Sequence, residues 1–137
     1  MTTSADNAVA VLGAGSYGTA LAICFARNGH DVVLWGRNKD HIEALATARE
    51  NQQYLPGAQF PESLSLNDDL AATVASSDVV LVVVPSHAFS ETLKAIKPHL
   101  TAGARVLWAT KGLEPNTGRL LQQLAAEVLG DDVSLGV

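Results

Sequence analysis

The sequence predicts an α/β fold, a doubly wound and mostly parallel sheet with helices on both faces. Two observations lead there. Short apolar runs alternate with amphipathic stretches along the whole length, the pattern of strands covered on both faces by crossover helices. The first of those runs leads directly into Gly13, Gly15 and Gly18, spaced G-x-G-x-x-G, with a helix-forming stretch behind them.

The elements follow in order. Residues 8–13, AVAVLG, form a buried first strand that ends in glycine. Residues 16–28, SYGTALAICFARN, are helical in composition, with Arg27 at the negative end of the helix and Gly29 just past its cap. DVVLW, residues 31–35, is the second strand. Asn38 caps a helix running through about Glu50, with Ile42, Leu45 and Arg49 on one face. Two prolines and a glycine make residues 51–61, NQQYLPGAQFP, an irregular excursion. SLSL, residues 63–66, is a short edge strand, and a small helix covers 68–75. VVLVVV, residues 79–84, is the central strand, apolar on both faces and stopped by Pro85. Ser86 caps a helix to about Lys97, which Pro98 ends. Residues 104–109, ARVLWA, are another strand, 110–116 a loop, and 117–129 a helix closed by Gly130. Residues 133–137 read as a strand just begun, so a truncated chain is expected. No repeat or linker divides the sequence, which is expected to be one domain, 1–137.

Composition excludes several function classes. A chain of 137 residues suits one domain but is short for a complete two-substrate enzyme. With 47% hydrophobic and 17% charged residues it is neither disordered nor fibrous. Nine Lys and Arg against fourteen Asp and Glu give a net charge of −5, so no basic face for nucleic acid is expected. The single Cys24 rules out a disulfide framework and a Cys-rich zinc site, and a reducing cytoplasm is the natural compartment. Residues 1–7, MTTSADN, carry no Lys or Arg and do not resemble a secretory leader. The longest apolar run, ending at Pro85, falls far below the ~18 residues of a membrane span.

The glycine pattern carries the chemistry. By itself it is a weak signal, but a strand before it, a helix after it and a second strand within ~30 residues supply the context of a Rossmann-type dinucleotide site. Gly13 permits the tight turn, Gly15 lets a pyrophosphate approach the backbone, and Gly18 lets the helix pack closely on the strand. The phosphates then meet the free amides of the helix N-terminus, where Ser16 and Tyr17 stand. A ligand-free glycine turn is the bland alternative, and the context disfavours it.

Roughly 20 residues past such a motif, an NAD or FAD site usually presents an acid to the adenosine ribose. Here the second strand runs into Gly36, Arg37, Asn38 and Lys39, with no acid. A guanidinium there can fork onto a 2′-phosphate and stack on adenine, so NADP is favoured over NAD, or both are accepted, while flavin and S-adenosylmethionine are disfavoured. Arg37 is read as the functional cation and Lys39 as a solvated one.

In an open doubly wound sheet the ligand lies beyond the carboxyl ends of the strands. The glycine loop, residues 85–89 (PSHAF) and residues 110–114 (TKGLE) occupy that edge. Lys111 is the ammonium directly at a strand's carboxyl end, where it could hold a substrate phosphate or polarise an alkoxide. From position alone, a solvated lysine fits equally well. His87 is read as merely exposed, Cys24 as a small core residue, and Trp35 and Trp108 as core or crevice wall. His30, His41 and His99 are scattered, so no metal site is proposed, and Asp131 with Asp132 reads as a turn.

The segments VLGAGSYGTALA, NGHDVVLWGR, NQQYLPG, LVVVPSHAF, IKPHL and above all WATKGLEPNTGRLL resemble the bacterial-type NAD(P)-dependent sn-glycerol-3-phosphate dehydrogenases, in the family's order over almost the whole chain. The resemblance implies reversible hydride transfer between a nicotinamide and the secondary carbon of glycerol 3-phosphate or dihydroxyacetone phosphate, in the service of phospholipid synthesis. By position, Ser16 and Tyr17 match the family's pyrophosphate-contacting pair, and Arg37 matches the residue at the adenosine phosphate. Tyr54 matches a cofactor-facing position, and Lys111 a lysine that touches both cofactor and substrate. The family's proton-transferring lysine lies in a second, largely helical domain, so no catalytic base is named in this chain, which is expected to bind cofactor without turnover. A homodimer is expected of the full-length protein. Two other readings are weighed: a dinucleotide-sensing regulatory module, disfavoured by the net charge, and a dehydrogenase of another small hydroxy acid or sugar phosphate, disfavoured by the TKGLE and NQQYLPG segments.

Overall fold

The computed structural model describes residues 8–109, 121–130 and 134–136. Its main sheet contains β1 (Ala8–Leu12), β2 (Asp31–Trp35), β5 (Leu64–Asn67), β6 (Val79–Val82), β7 (Arg105–Trp108) and β8 (Ser134–Gly136). They lie in the order β5-β2-β1-β6-β7-β8, and every pairing is parallel. The chain winds outward from β1 to one edge, then returns to its other side and winds to the opposite edge. The order therefore reverses between β1 and β6, which is where such sheets open a crevice.

Burial explains why these residues make a two-sided sheet. All five residues of β1 are buried, and their alternation sends neighbouring side chains to opposite faces. Val9 and Val11 join Leu81, Val32 and Leu34 in one core, covered by α1 (Ser16–Arg27) and α2 (Lys39–Ala48) through Ala22, Ile23, Ala26, Ile42 and Leu45. Ala10 and Leu12 join Val80, Val82, Val106 and Trp108 in the other core, beneath α3 (Leu70–Ala75), α4 (Ser86–Ile96) and α5 (Leu121–Leu129). Phe89, Leu93 and Ile96 of α4 are fully buried there, each worth about 1.5–3 kcal/mol of transfer free energy. The doubly wound expectation holds.

Several local expectations need correction. The excursion after α2 is not wholly irregular: β3 (Glu50–Asn51) and β4 (Leu55–Gln59) form an antiparallel ribbon with an irregular register. The Glu50 carboxylate accepts from the Gly57 backbone N–H at 2.8 Å, which ties the ribbon across the turn. The central strand stops at Val82 rather than residue 84, because its partner β1 has already ended at Leu12. Ser86 does not cap α4: it is the first helical residue, with Pro85 at the cap and no side-chain capping bond. Past Ile96 the chain tightens into a 3-10 turn, Lys97–His99, that contains Pro98. Cys24 is exposed rather than part of the core. The buried face of α1 runs through Ala22, Ile23 and Ala26, and the helical step of ~100° per residue turns position 24 away from it. The small helix starts at Leu70 with Asp69 as its cap. The start of the helix expected over 117–129 lies outside the described residues.

Asn38 caps α2 as expected, accepting from the His41 N–H at 3.0 Å. Asn38→Ala is expected to lower stability by about 1 kcal/mol, measured as a shift in denaturation midpoint at unchanged slope.

Candidate functional site

The carboxyl ends of β1 and β6 border a cavity of ≈ 610 Å³ at the point where the strand order reverses. Its floor is the turn from β1 into α1. Gly13 stands there at φ +126, and a Cβ on it would run into the Val83 carbonyl, so both conformation and space require glycine. Gly18 packs its α-carbon on the Gly13 carbonyl, 3.7 Å from the Val83 Cβ as measured from where its own Cβ would sit. Gly15 differs from both: its φ is −81, and a Cβ there would meet nothing within 4 Å. The fold leaves that position open, toward the cavity it lines.

Gly15 is the N-cap of α1, whose end carries no side-chain cap and no acidic residue in its first turn. The Ser16, Tyr17 and Gly18 amides of that turn are therefore placed to receive an anion. Tyr17 is 56% exposed over the same cavity. Arg37 reaches the rim from the end of β2, whereas Lys39 does not line the cavity. The Trp35 indole N–H donates to the Asp68 carbonyl at 3.1 Å, which holds that wall to the loop before α3.

The ribbon contributes Tyr54 to the lining, beside His41 of α2. Tyr54, in the turn between β3 and β4, is 47% exposed and meets His41 edge-on, with ring centroids 5.5 Å apart. Beneath them lies Asn51, fully buried. Its Nδ2 donates to Thr19 Oγ1 at 2.8 Å and to the Ala14 carbonyl at 3.1 Å. Its Oδ1 accepts from the Tyr54 backbone N–H at 3.2 Å and lies 3.4 Å from His41 Nε2. At the far end, Val83–Ala88 and Ala109 complete the cavity; His87 is exposed, as expected, yet lines it too.

The chain from residue 8 to residue 137 matches the family model of the NAD-dependent glycerol-3-phosphate dehydrogenase N-terminus. The chain belongs to this family. Among its relatives, glycerol-3-phosphate dehydrogenase, NAD(P)+, of Pseudoalteromonas translucida is 64% identical over 134 residues, covering 98% of this chain and 40% of the relative. The namesake from Pectobacterium atrosepticum is 59% identical over the same length and shares. A crystal structure of glycerol-3-phosphate dehydrogenase from Coxiella burnetii superposes with a TM-score of 0.88 at 42% identity, over 94% of this chain and 39% of that one. The chain thus spans about 40% of the length of the curated relatives it matches.

Within this glycerol-3-phosphate dehydrogenase N-terminal fold, the cavity gathers Gly13, Gly15, Ser16, Tyr17, Gly18, Arg37 and Tyr54, all singled out from the sequence. Lys111 lies outside the described residues, as do Asp131 and Asp132. From the sequence His41 is set aside as scattered, and Asn51 stands in the NQQYLPG segment without a role of its own. A histidine six residues past the second strand carries no local signal, and nothing local shows that the Asn51 side chain is buried against Ala14 and Thr19. Among the described residues no group of three or more His, Cys, Asp or Glu could hold a metal ion, and no helix is long and apolar enough to cross a membrane.

Proposed function

We propose that this chain is the dinucleotide-binding domain, 1–137, of an NAD(P)-dependent enzyme that interconverts sn-glycerol 3-phosphate and dihydroxyacetone phosphate. The observation that carries the reading is Gly15, a glycine whose backbone conformation and surroundings do not require one, at the uncapped end of α1 in the crevice. A group that must approach the backbone there accounts for it, and a pyrophosphate does so. The glycerol-3-phosphate dehydrogenase relatives, named for NAD(P)+, support the cofactor class and the substrate.

On this reading the Ser16 and Tyr17 amides hold the pyrophosphate, and the Ser16 hydroxyl is within the same turn to add a bond. Tyr54, backed by His41, walls the adenosine side. Arg37 forks onto the 2′-phosphate of NADP, which favours NADPH. The segment from Val83 to Ala88 borders the nicotinamide half. Lys111 holds the substrate phosphate beside the cofactor. A nicotinamide held there would supply hydride transfer to or from the secondary carbon of the substrate. The hydroxyl proton goes to a base supplied from the remainder of the protein, which the resemblance identifies as a lysine. The same resemblance supports a cytoplasmic enzyme of phospholipid synthesis, homodimeric at full length.

Calorimetric titration of the full-length protein with NADPH and then NADH, at matched salt, tests the reading. NADPH binding with weaker NADH binding is expected, and a folded protein that takes up neither would overturn it. Arg37→Glu is expected to weaken NADPH by at least about tenfold, through loss of a charge-assisted fork and gain of repulsion, and to leave NADH nearly unchanged. Equal losses for both cofactors would move Arg37 off the 2′-phosphate.

A further inference from the structure

Behind the cavity wall lies a buried carboxamide, most of whose partners line the cavity. Asn51 is fully buried, and it ties its own ribbon turn, through Tyr54, to three other segments: the glycine loop through Ala14, α1 through Thr19 and α2 through His41. Three of those four residues, Ala14, His41 and Tyr54, line the cavity. Both amide hydrogens and the carbonyl oxygen of the side chain are in use. No other uncharged side chain of this size except that of glutamine, one methylene longer, offers two donors and an acceptor from one planar group.

The bond to Ala14 has a direct consequence for the glycine loop. A trans peptide carries its C=O and N–H on opposite sides. By drawing the Ala14 carbonyl into the interior, Asn51 presents the Gly15 N–H on the other side of that peptide. Gly15 is the N-cap whose open face borders the crevice. The same side chain orients the Tyr54 backbone. We propose that Asn51 is a positioning residue for the dinucleotide: it sets the Gly15 amide and the Tyr54 turn as one unit, without touching the ligand. The proposal rests on the dinucleotide reading above.

Asn51→Asp in the full-length protein is the test. It keeps the shape but replaces two donors with an acceptor facing the Ala14 carbonyl. The dissociation constants of NADPH and NADH are expected to rise together by about tenfold, from a buried carbonyl left unpaired. Inorganic pyrophosphate, used as a competitor, is expected to weaken in parallel. At saturating cofactor, kcat and the KM for dihydroxyacetone phosphate are expected to stay within about twofold of the wild type, a split that general damage to the fold would not produce. Thr19→Val, at a fully buried position that cannot meet the ligand, removes one anchor of the carboxamide. It is expected to shift the same constants in the same direction by a few fold, and it decides the matter if Asn51→Asp does not fold. Folded variants that bind both dinucleotides within about twofold of the wild type overturn the proposal, and so does a uniform loss of kcat and substrate KM. A wild-type protein that binds neither dinucleotide overturns the parent reading and this one with it.

Discussion

Gly18→Ala is expected to lower the stability of the domain by about 2–3 kcal/mol and to displace the start of α1 from the crevice. Alanine is the better helix former by about 1 kcal/mol, so propensity alone predicts the opposite sign. Space decides. The new Cβ would sit inside contact distance of the Gly13 carbonyl and 3.0 Å from its carbon, both backbone atoms that have no rotamer to change. The Gly13 side cannot retreat, because its own α-carbon is pressed on the Val83 carbonyl at the end of the neighbouring strand. Relief must come from α1, whose buried residues Ala22, Ile23 and Ala26 then lift from the sheet. Thermal denaturation would show it as a fall in Tm of roughly 5–10 °C for a chain of this length. An unchanged Tm would mean that the close approach of helix and strand is relieved at no expense, and that Gly18 is not there for packing.

Gly15→Ser separates binding from folding, with the two effects opposite in sign. Position 15 is extended, open to a Cβ and at the N-cap, where serine is a better residue than glycine. Stability should therefore be held or raised by a few tenths of a kcal/mol. Dinucleotide affinity should fall on the order of a hundredfold, since the new side chain occupies the open approach and its hydroxyl accepts from the very amides a pyrophosphate would use. Titration with NADPH beside a melting curve reads both effects. Retained affinity would place the phosphates elsewhere and would leave the glycine at 15 without a functional reason.

The contrast between these two glycines marks how far the pattern G-x-G-x-x-G could be read before folding. Strand, turn and helix around it were legible because they rest on local rules: the apolar run Val9–Leu12, the glycine turn and the helix formers from Ser16 onward. The roles themselves, Gly18 for packing and Gly15 for the crevice, follow from the pattern, whereas the Val83 atoms that crowd Gly13 and Gly18 come from a distant part of the chain that only the sheet makes adjacent. The ribbon of β3 and β4 was missed for a local reason: Pro56 and Gly57 argue against a strand, and the hairpin is short and irregular in register, closed by the Phe60 N–H donating to the Arg49 carbonyl at 2.8 Å. Cys24 was misplaced because neighbouring Ile23 and Phe25 hid which way the helix faces.

Backbone class, strand identity, the glycine turn and the absence of an acid after β2 are properties of neighbours along the chain, so periodicity and residue chemistry sufficed for them. The wall of the crevice is not of that kind. Ser16 and Arg37 line one cavity only because parallel strands bring their carboxyl ends to one edge, and Tyr54 joins them from the turn of the antiparallel ribbon. Asn51 and His41 acquire their places only when the ribbon folds under that edge, since hydrogen-bond partners 10, 32 and 37 residues distant leave no periodic trace.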